Sequence, residues 1–160
     1  MKRKRIFWVG AAAFILIIAW FGSNLLLFMI DYRDEMISLE NFRVSILSVE
    51  TKANDTLIVR VNLENSYSRD ILLRLLVFNV FEKENDTILV SGMIDYTVHG
   101  ETLLLPGYSE HMEEFVGRTL AKIEHNTPLE VRVEVRVMIK TLYFGDSVKK
   151  AETDTVITFH

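Results

Sequence analysis

Twenty-five consecutive residues without a charge, Ile6 to Ile30, constrain this 160-residue chain more than any other feature. The stretch holds no Asp, Glu, Lys, Arg or His, and its strongest polar residues are Ser23 and Asn24. As an α-helix it would be about 37 Å long, against about 30 Å for the hydrocarbon core of a bilayer. A core helix of a soluble protein carries a polar flank or a shorter apolar run. The length therefore predicts a membrane-spanning helix, tilted or with its outer turn protruding. A cleaved signal peptide has an apolar region of about 7–15 residues followed by small residues. Here the small residues Gly10, Ala11, Ala12 and Ala13 open the run, and bulky Leu25-Leu26-Leu27-Phe28-Met29-Ile30 closes it. Gly22-Ser23 is a weak cleavage site beside bulky Phe21, and a lipoprotein anchor needs a Cys that the chain lacks. These features predict an uncleaved signal anchor.

Charge sets the orientation. Lys2-Arg3-Lys4-Arg5 precede the run, whereas Asp31-Tyr32-Arg33-Asp34-Glu35 follow it with one basic residue. Positive charge stays on the cytoplasmic side, so the N-terminus is expected in the cytoplasm and residues 31–160 outside the cell membrane. Trp8 and Tyr32 then fall near the two interfaces, where aromatic belts form. Ala19 and Ser23 make one small-xxx-small pair, a spacing that lets helices approach but that simple composition also explains. The expected organisation is a basic tail (1–5), a transmembrane helix (6–30), a short linker (31–39) and one extracytoplasmic domain (40–160), of ordinary domain size.

The outer part, residues 31–160, carries 14 Lys/Arg against 22 Asp/Glu, a net charge of −8. Nucleic acid and anionic lipid surfaces are poor partners for that charge; cationic partners or divalent ions are tolerated. The expected partners are the lipid bilayer, through residues 6–30, and a membrane-proximal protein, because nine linker residues reach at most about 30 Å. The absence of Cys removes disulfides, thiolate zinc and thiol chemistry together.

Beyond the linker the hydropathy alternates with period two. Phe42, Val44 and Ile46 alternate with Arg43 and Ser45, and Leu57, Val59, Val61 and Leu63 with Ile58, Arg60, Asn62 and Glu64. Ile71 to Phe81 is apolar on both faces apart from Arg74 and Asn79, the pattern of a central, covered strand. Thr87–Val90 and Met93–Val98 are two shorter runs, Leu103–Leu105 ends at the turn pair Pro106-Gly107, and His111–Val116 is a further strand. Leu129 to Lys140 alternates most clearly, with Glu130, Arg132, Glu134, Arg136 and Lys140 on its wet face, and Val148–Phe159 should pair with it as a hairpin. Arg118 to His125, with Leu120 and Ile123 at helical spacing, predicts one or two helical turns. Seven or eight strands at roughly ten-residue spacing with one short helix predict an all-β, antiparallel β-sandwich.

Residues Leu57-Ile58-Val59-Arg60-Val61-Asn62-Leu63-Glu64-Asn65, a strand ending in Asn, then the apolar strand Ile71–Phe81, Gly92 after the next strand, and Leu103-Leu104-Leu105-Pro106-Gly107 follow one another in a known order. In that order and texture the chain resembles the WHy-domain proteins, the second group of late-embryogenesis-abundant proteins, over roughly residues 42–159. The family usually has Asn-Pro after the second strand, whereas Ser66 follows Asn65 here. The resemblance implies an immunoglobulin-like sandwich and a non-enzymatic role linked to stress, and it transfers no catalytic residue. By layout alone, one N-terminal helix joined to a short sandwich, the chain is also similar to archaeal surface-filament stator proteins. An accessory subunit of a membrane or envelope complex is therefore the alternative.

Few residues offer chemistry. His111 and Glu113 share one face of a strand and could begin a metal site, but no third ligand is visible among His99, His125 and His160. Ser109 near His111 lacks the strand-turn-helix setting of a nucleophile. Glu113 and Glu114 point to opposite sides of a strand and cannot share a proton. No glycine-rich phosphate loop is present. No enzyme activity, cofactor or metal is expected. Two Asn-Asp-Thr sequons, at Asn54 and Asn85, are glycosylation candidates in predicted loops, and Asx-turns before a strand explain the same residues equally well.

Overall fold

The uncharged run folds as a helix, but the helix does not stop with it. The structure, a computed structural model, describes residues 2–52, 55–97, 103–119 and 126–159. Helix α1 (Lys2–Asn41) takes in the whole run and the eleven residues after it. Residues 31–39, expected as a short linker, are thus helical. They contain no Gly or Pro, and extending an existing helix costs little compared with starting one. The helix ends at Asn41, whose side-chain amide donates to the Ile37 carbonyl at 2.8 Å and satisfies one of the carbonyls that a helix end leaves open. The chain divides into two compact units, Met1–Met36 and Ile37–His160.

In the first unit the large apolar side chains from Phe14 to Ile30 are exposed along the helix. The two polar residues of the run turn back on their own backbone: Ser23 Oγ and Asn24 Nδ2 both donate to the Trp20 carbonyl, at 2.8 and 2.7 Å.

Among the described residues the second unit contains eight strands: β1 (Phe42–Lys52), β2 (Thr56–Asn65), β3 (Ile71–Glu82), β4 (Ile88–Asp95), β5 (Leu103–Leu105), β6 (Ser109–Arg118), β7 (Pro128–Lys140) and β8 (Asp146–Thr158). All pairings are antiparallel. One sheet has the order β1-β2-β6 and the other β4-β3-β7-β8, with β5 also on β3. This is the immunoglobulin-like sandwich expected, and β8 forms the expected hairpin with β7, from Lys140↔Asp146 to Pro128↔Thr158. Period-two alternation turns Leu57, Val59, Val61 and Leu63 of one sheet toward Leu73, Leu76, Phe78, Val80, Val131, Val133, Val135 and Val137 of the other, all buried.

Three details depart from the expectations. Strand β4 (Ile88–Asp95) joins the end of the run 87–90 to the start of the run 93–98, whose last residue lies outside the described residues, so Gly92 lies inside a strand and not after one. Gly92 pairs with Phe78, and a Cβ there would stand 2.3 Å from the Phe78 ring; the glycine is a seat for the ring. Arg118 closes β6, and the rest of the expected short helix, residues 120–125, lies outside the described residues. Finally, the wet face of β7 is not uniformly wet: Glu134 is buried there. Long charged side chains cover this face, and the Arg132 guanidinium lies 5.0 Å from the centroid of the Phe81 ring. That cover explains how β3 keeps apolar residues on both faces.

Phe78 also packs on Phe115 at 4.5 Å between centroids, which limits how far its ring can withdraw. Replacing Gly92 with Ala is expected to cost about 1–3 kcal/mol through overpacking, read as a lower urea midpoint for the detergent-solubilised chain. An unchanged midpoint would show that the ring has room.

Candidate functional site

His111 and Glu113 do share the inner side of β6, as their spacing requires. Glu114 points outward and meets Arg60 at 2.9 Å. His111 Nε2 lies 2.8 Å from Glu113 Oε1, and the Tyr96 hydroxyl donates to the same oxygen at 2.8 Å. Burial, together with this bond to Glu113, raises the Tyr96 hydroxyl pKa and keeps the group a donor. Tyr96 was invisible to sequence reasoning: it comes from the other sheet and is 17 residues from Glu113. No group of three His, Cys, Asp or Glu able to hold a metal occurs among the described residues. Ser109 Oγ donates to the Pro106 carbonyl at 2.5 Å. The cluster is a hydrogen-bonded closure of the sandwich edge beside β6, with Glu113 Oε1 engaged by two neighbours. His99, His125, His160 and the sequon residue Asn54 lie outside the described residues.

The second sequon residue, Asn85, is exposed in the β3–β4 loop, residues 83–87. Its side chain builds an Asx-turn: Oδ1 accepts from the Thr87 N–H at 2.9 Å, and Nδ2 donates to Glu82 at 2.8 Å. Asp86 beside it takes a positive φ of 55°, a conformation Asp tolerates better than most residues.

The densest polar construction is at the end of the sandwich where α1 gives way to β1. Asn65, 1% exposed, closes β2 and sends its amide to the carbonyls of Arg69 at 2.8 Å, Pro106 at 3.0 Å and Leu105 at 3.4 Å. Its carbonyl oxygen accepts from the Tyr67 N–H at 3.2 Å. One buried side chain thereby joins the β2–β3 loop to the β5–β6 loop. The Tyr108 N–H reaches the Tyr67 carbonyl at 2.9 Å, and the Gly107 N–H reaches Asp70 at 3.0 Å. A Cβ at Gly107 would stand 2.3 Å from the Ser68 carbonyl oxygen, so the loops close only over a glycine. Ser66, the departure from the Asn-Pro pattern, donates its N–H to the Asn41 carbonyl at 3.4 Å. A proline has no such N–H to offer, and the bond ties this loop to the last residue of α1.

A third polar cluster lies on the outer face of the five-stranded sheet. Glu134 accepts from Arg136 at 2.9 Å and from Lys150 at 3.3 Å, and Arg132 bonds Asp86 at 2.8 Å. Burial pushes the Glu134 carboxyl up, but the hydrogen bonds and charges of Arg136 and Lys150 outweigh it and hold the group below its ordinary 4.5.

No protein-family model matches the chain, and no curated protein matches it. Solved structures do. The chain is similar to a late-embryogenesis-abundant protein solved in solution, at 12% identity and a TM-score of 0.55 over 86% of each chain. It is similar also to an Arabidopsis thaliana protein solved in solution, at 14% identity and a TM-score of 0.54 over 72% of this chain and 80% of that one. At such identities the likeness is one of fold, and at that level it agrees with the resemblance carried by residues 57–65 and the elements after them.

Two outcomes follow from these clusters. Asn65→Asp keeps the shape but removes the donors to three carbonyls, and is expected to cost about 2–3 kcal/mol as those buried groups go unsatisfied, measured by urea unfolding near neutral pH. For Glu134 the folded pKa lies below the unfolded one, so its contribution is complete above the unfolded value of 4.5 and is lost as pH falls through the lower folded value. Glu134→Gln should therefore lower stability at neutral pH and flatten the decline of stability below pH 4.5. A variant curve parallel to wild type through the acid range would contradict this.

Proposed function

We propose that the chain is a non-enzymatic, single-pass membrane protein that presents its sandwich as a binding or structural module at the outer membrane face. The carrying observation is the helix itself: among the described residues one helix is long and apolar enough to cross a membrane, and its large apolar side chains from Phe14 to Ile30 are exposed. Exposed apolar surface costs about 25 cal/mol per Å² in water, so this surface calls for a hydrocarbon surrounding. Ser23 and Asn24 support the reading, because both spend donors on the helix backbone, as polar groups in lipid must. The basic cluster at residues 2–5 supports a cytoplasmic N-terminus.

The fold shared with a late-embryogenesis-abundant protein supports a stress-related role for the module. The hydrogen-bonded His111–Glu113–Tyr96 cluster supports a structural part for the residues that most resembled chemistry. Asn85, exposed on its loop, is accessible to a glycosyl transferase where the host has one. The layout of one helix joined directly to a small sandwich also suits an accessory subunit of an envelope complex, such as an archaeal surface-filament stator. That subunit would reach its membrane-proximal protein partner through the sandwich.

Topology is tested with tags at both ends. Protease added to intact cells should remove the C-terminal tag and leave the N-terminal tag in a small, carbonate-resistant membrane fragment. A C-terminal tag cleaved only after lysis would place the sandwich inside the cell, and release of the uncut chain by carbonate would refute the anchor.

A further inference from the structure

The loops at one end of the sandwich differ in chemistry from the β3–β4 loop at the other. At the end where β1 begins, three loops meet: β2–β3 (66–70), β5–β6 (106–108) and β7–β8 (141–145). Strand pairing places them together, since Phe42 and Ser109 pair with Asn65, Leu105 with Ile71, and Lys140 with both Leu72 and Asp146. Tyr108 is 74% exposed, Leu142 73% and Phe144 40%; Tyr67 in the β2–β3 loop and Tyr143 between Leu142 and Phe144 are half-buried. The β3–β4 loop at the opposite end reads Lys83-Glu84-Asn85-Asp86-Thr87, with no apolar residue.

The apolar tips are held firmly. The Thr141 N–H donates to the Gly145 carbonyl at 3.1 Å, and its hydroxyl accepts from the Phe144 N–H at 3.0 Å. Gly145 supplies the positive φ of 72° that closes the turn, and Arg74 pairs with Asp146 at its base. A braced turn that displays Leu and Phe to water has paid for an exposure that unfolding of the loop would not relieve.

We propose that the tips of the β5–β6 and β7–β8 loops insert into the interfacial layer of the bilayer that holds the anchor, giving the sandwich a second attachment to the membrane through apolar side chains. The proposal rests on the membrane-anchored reading. Chain connectivity selects the occupant: the aromatic end is the one that follows the helix. Residues 31–41 rise about 16 Å as helix, which limits how far that end stands from Ile30 whatever the angle of the helix. The interfacial layer of one leaflet is about 7 Å thick and a five-residue loop projects about 8 Å at strand rise, about 15 Å together, so a helix inclined to the membrane normal brings the tips into the layer. Tyr favours that layer because it takes an apolar ring beside a polar edge, and Leu and Phe supply the apolar face of an interfacial contact. The net charge of −8 on residues 31–160 leaves apolar insertion, rather than attraction to anionic lipid, as the means of contact.

The chain has no Cys, so one introduced thiol labels one place. Full-length Leu142→Cys, Phe144→Cys, Asn85→Cys and Phe21→Cys variants are labelled with an environment-sensitive fluorophore and reconstituted into phosphatidylcholine vesicles containing spin-labelled lipid. Quenching by that lipid should be about threefold or more stronger at 142 and 144 than at 85, as expected of an interfacial contact. Equal, weak quenching at 142, 144 and 85 with strong quenching at 21 would overturn the insertion and leave the anchor intact. Probes at 142 and 144 shielded from aqueous iodide yet unquenched by lipid would show a protein covering the tips, and would overturn it too. Weak quenching at 21 would mean that the anchor reading had failed first.

Discussion

The sandwich depends most on one buried carboxamide. The chain crosses between the sheets twice at the end where the helix gives way to β1, from β2 to β3 and from β5 to β6. The Asn65 side chain bonds the backbone of both crossings. Each crossing exposes carbonyl and N–H groups that have left their ladders, and a buried group of that kind needs a partner. With Asn65 in place, Gly107 can approach Ser68 and Ser66 can reach Asn41. The registers of β1 on β2, β6 on β2 and β5 on β3 all begin from this bracket.

Polar groups elsewhere close surfaces in the same fashion. Glu113, beside the edge of β6, is engaged by Tyr96 and His111. Glu134 sits beneath Arg136 and Lys150 on the outer face of the wider sheet. Burial alone would push the Glu134 carboxyl up, and those two cations outweigh it. The resulting surface is laced with ion pairs on that sheet and apolar at the loops beside β1. That contrast is what the molecule offers to its surroundings.

Much of this could be read before folding. The alternation in Leu57–Leu63 and Leu129–Ile139 gave both the strands and the residues that line the core, because period two is a property of the extended backbone. The Pro106-Gly107 turn and the β7–β8 hairpin were legible for the same local reason. The motif ending at Asn65 pointed to the right residue, though not to its task, which requires carbonyls about forty positions away. Gly92 was noticed but misplaced, because its reason for being glycine is the Phe78 ring on the neighbouring strand. Residues 31–39 were legible as the segment between the apolar run and the first strand, and with no Gly or Pro among them the helix continues through it.

By itself the sequence determined the unbroken apolar helix, the sign of the charge on either side of it, and the faces of the strands. These follow from covalent periodicity and side-chain transfer energies, which need no neighbours. Only the tertiary structure decided that Tyr96 joins Glu113, that Glu134 is buried on a wet face, and that Tyr108, Leu142 and Phe144 gather at the end of the sandwich that follows the helix. Those relations join residues far apart in the chain, and strand pairing, not local preference, brings them together.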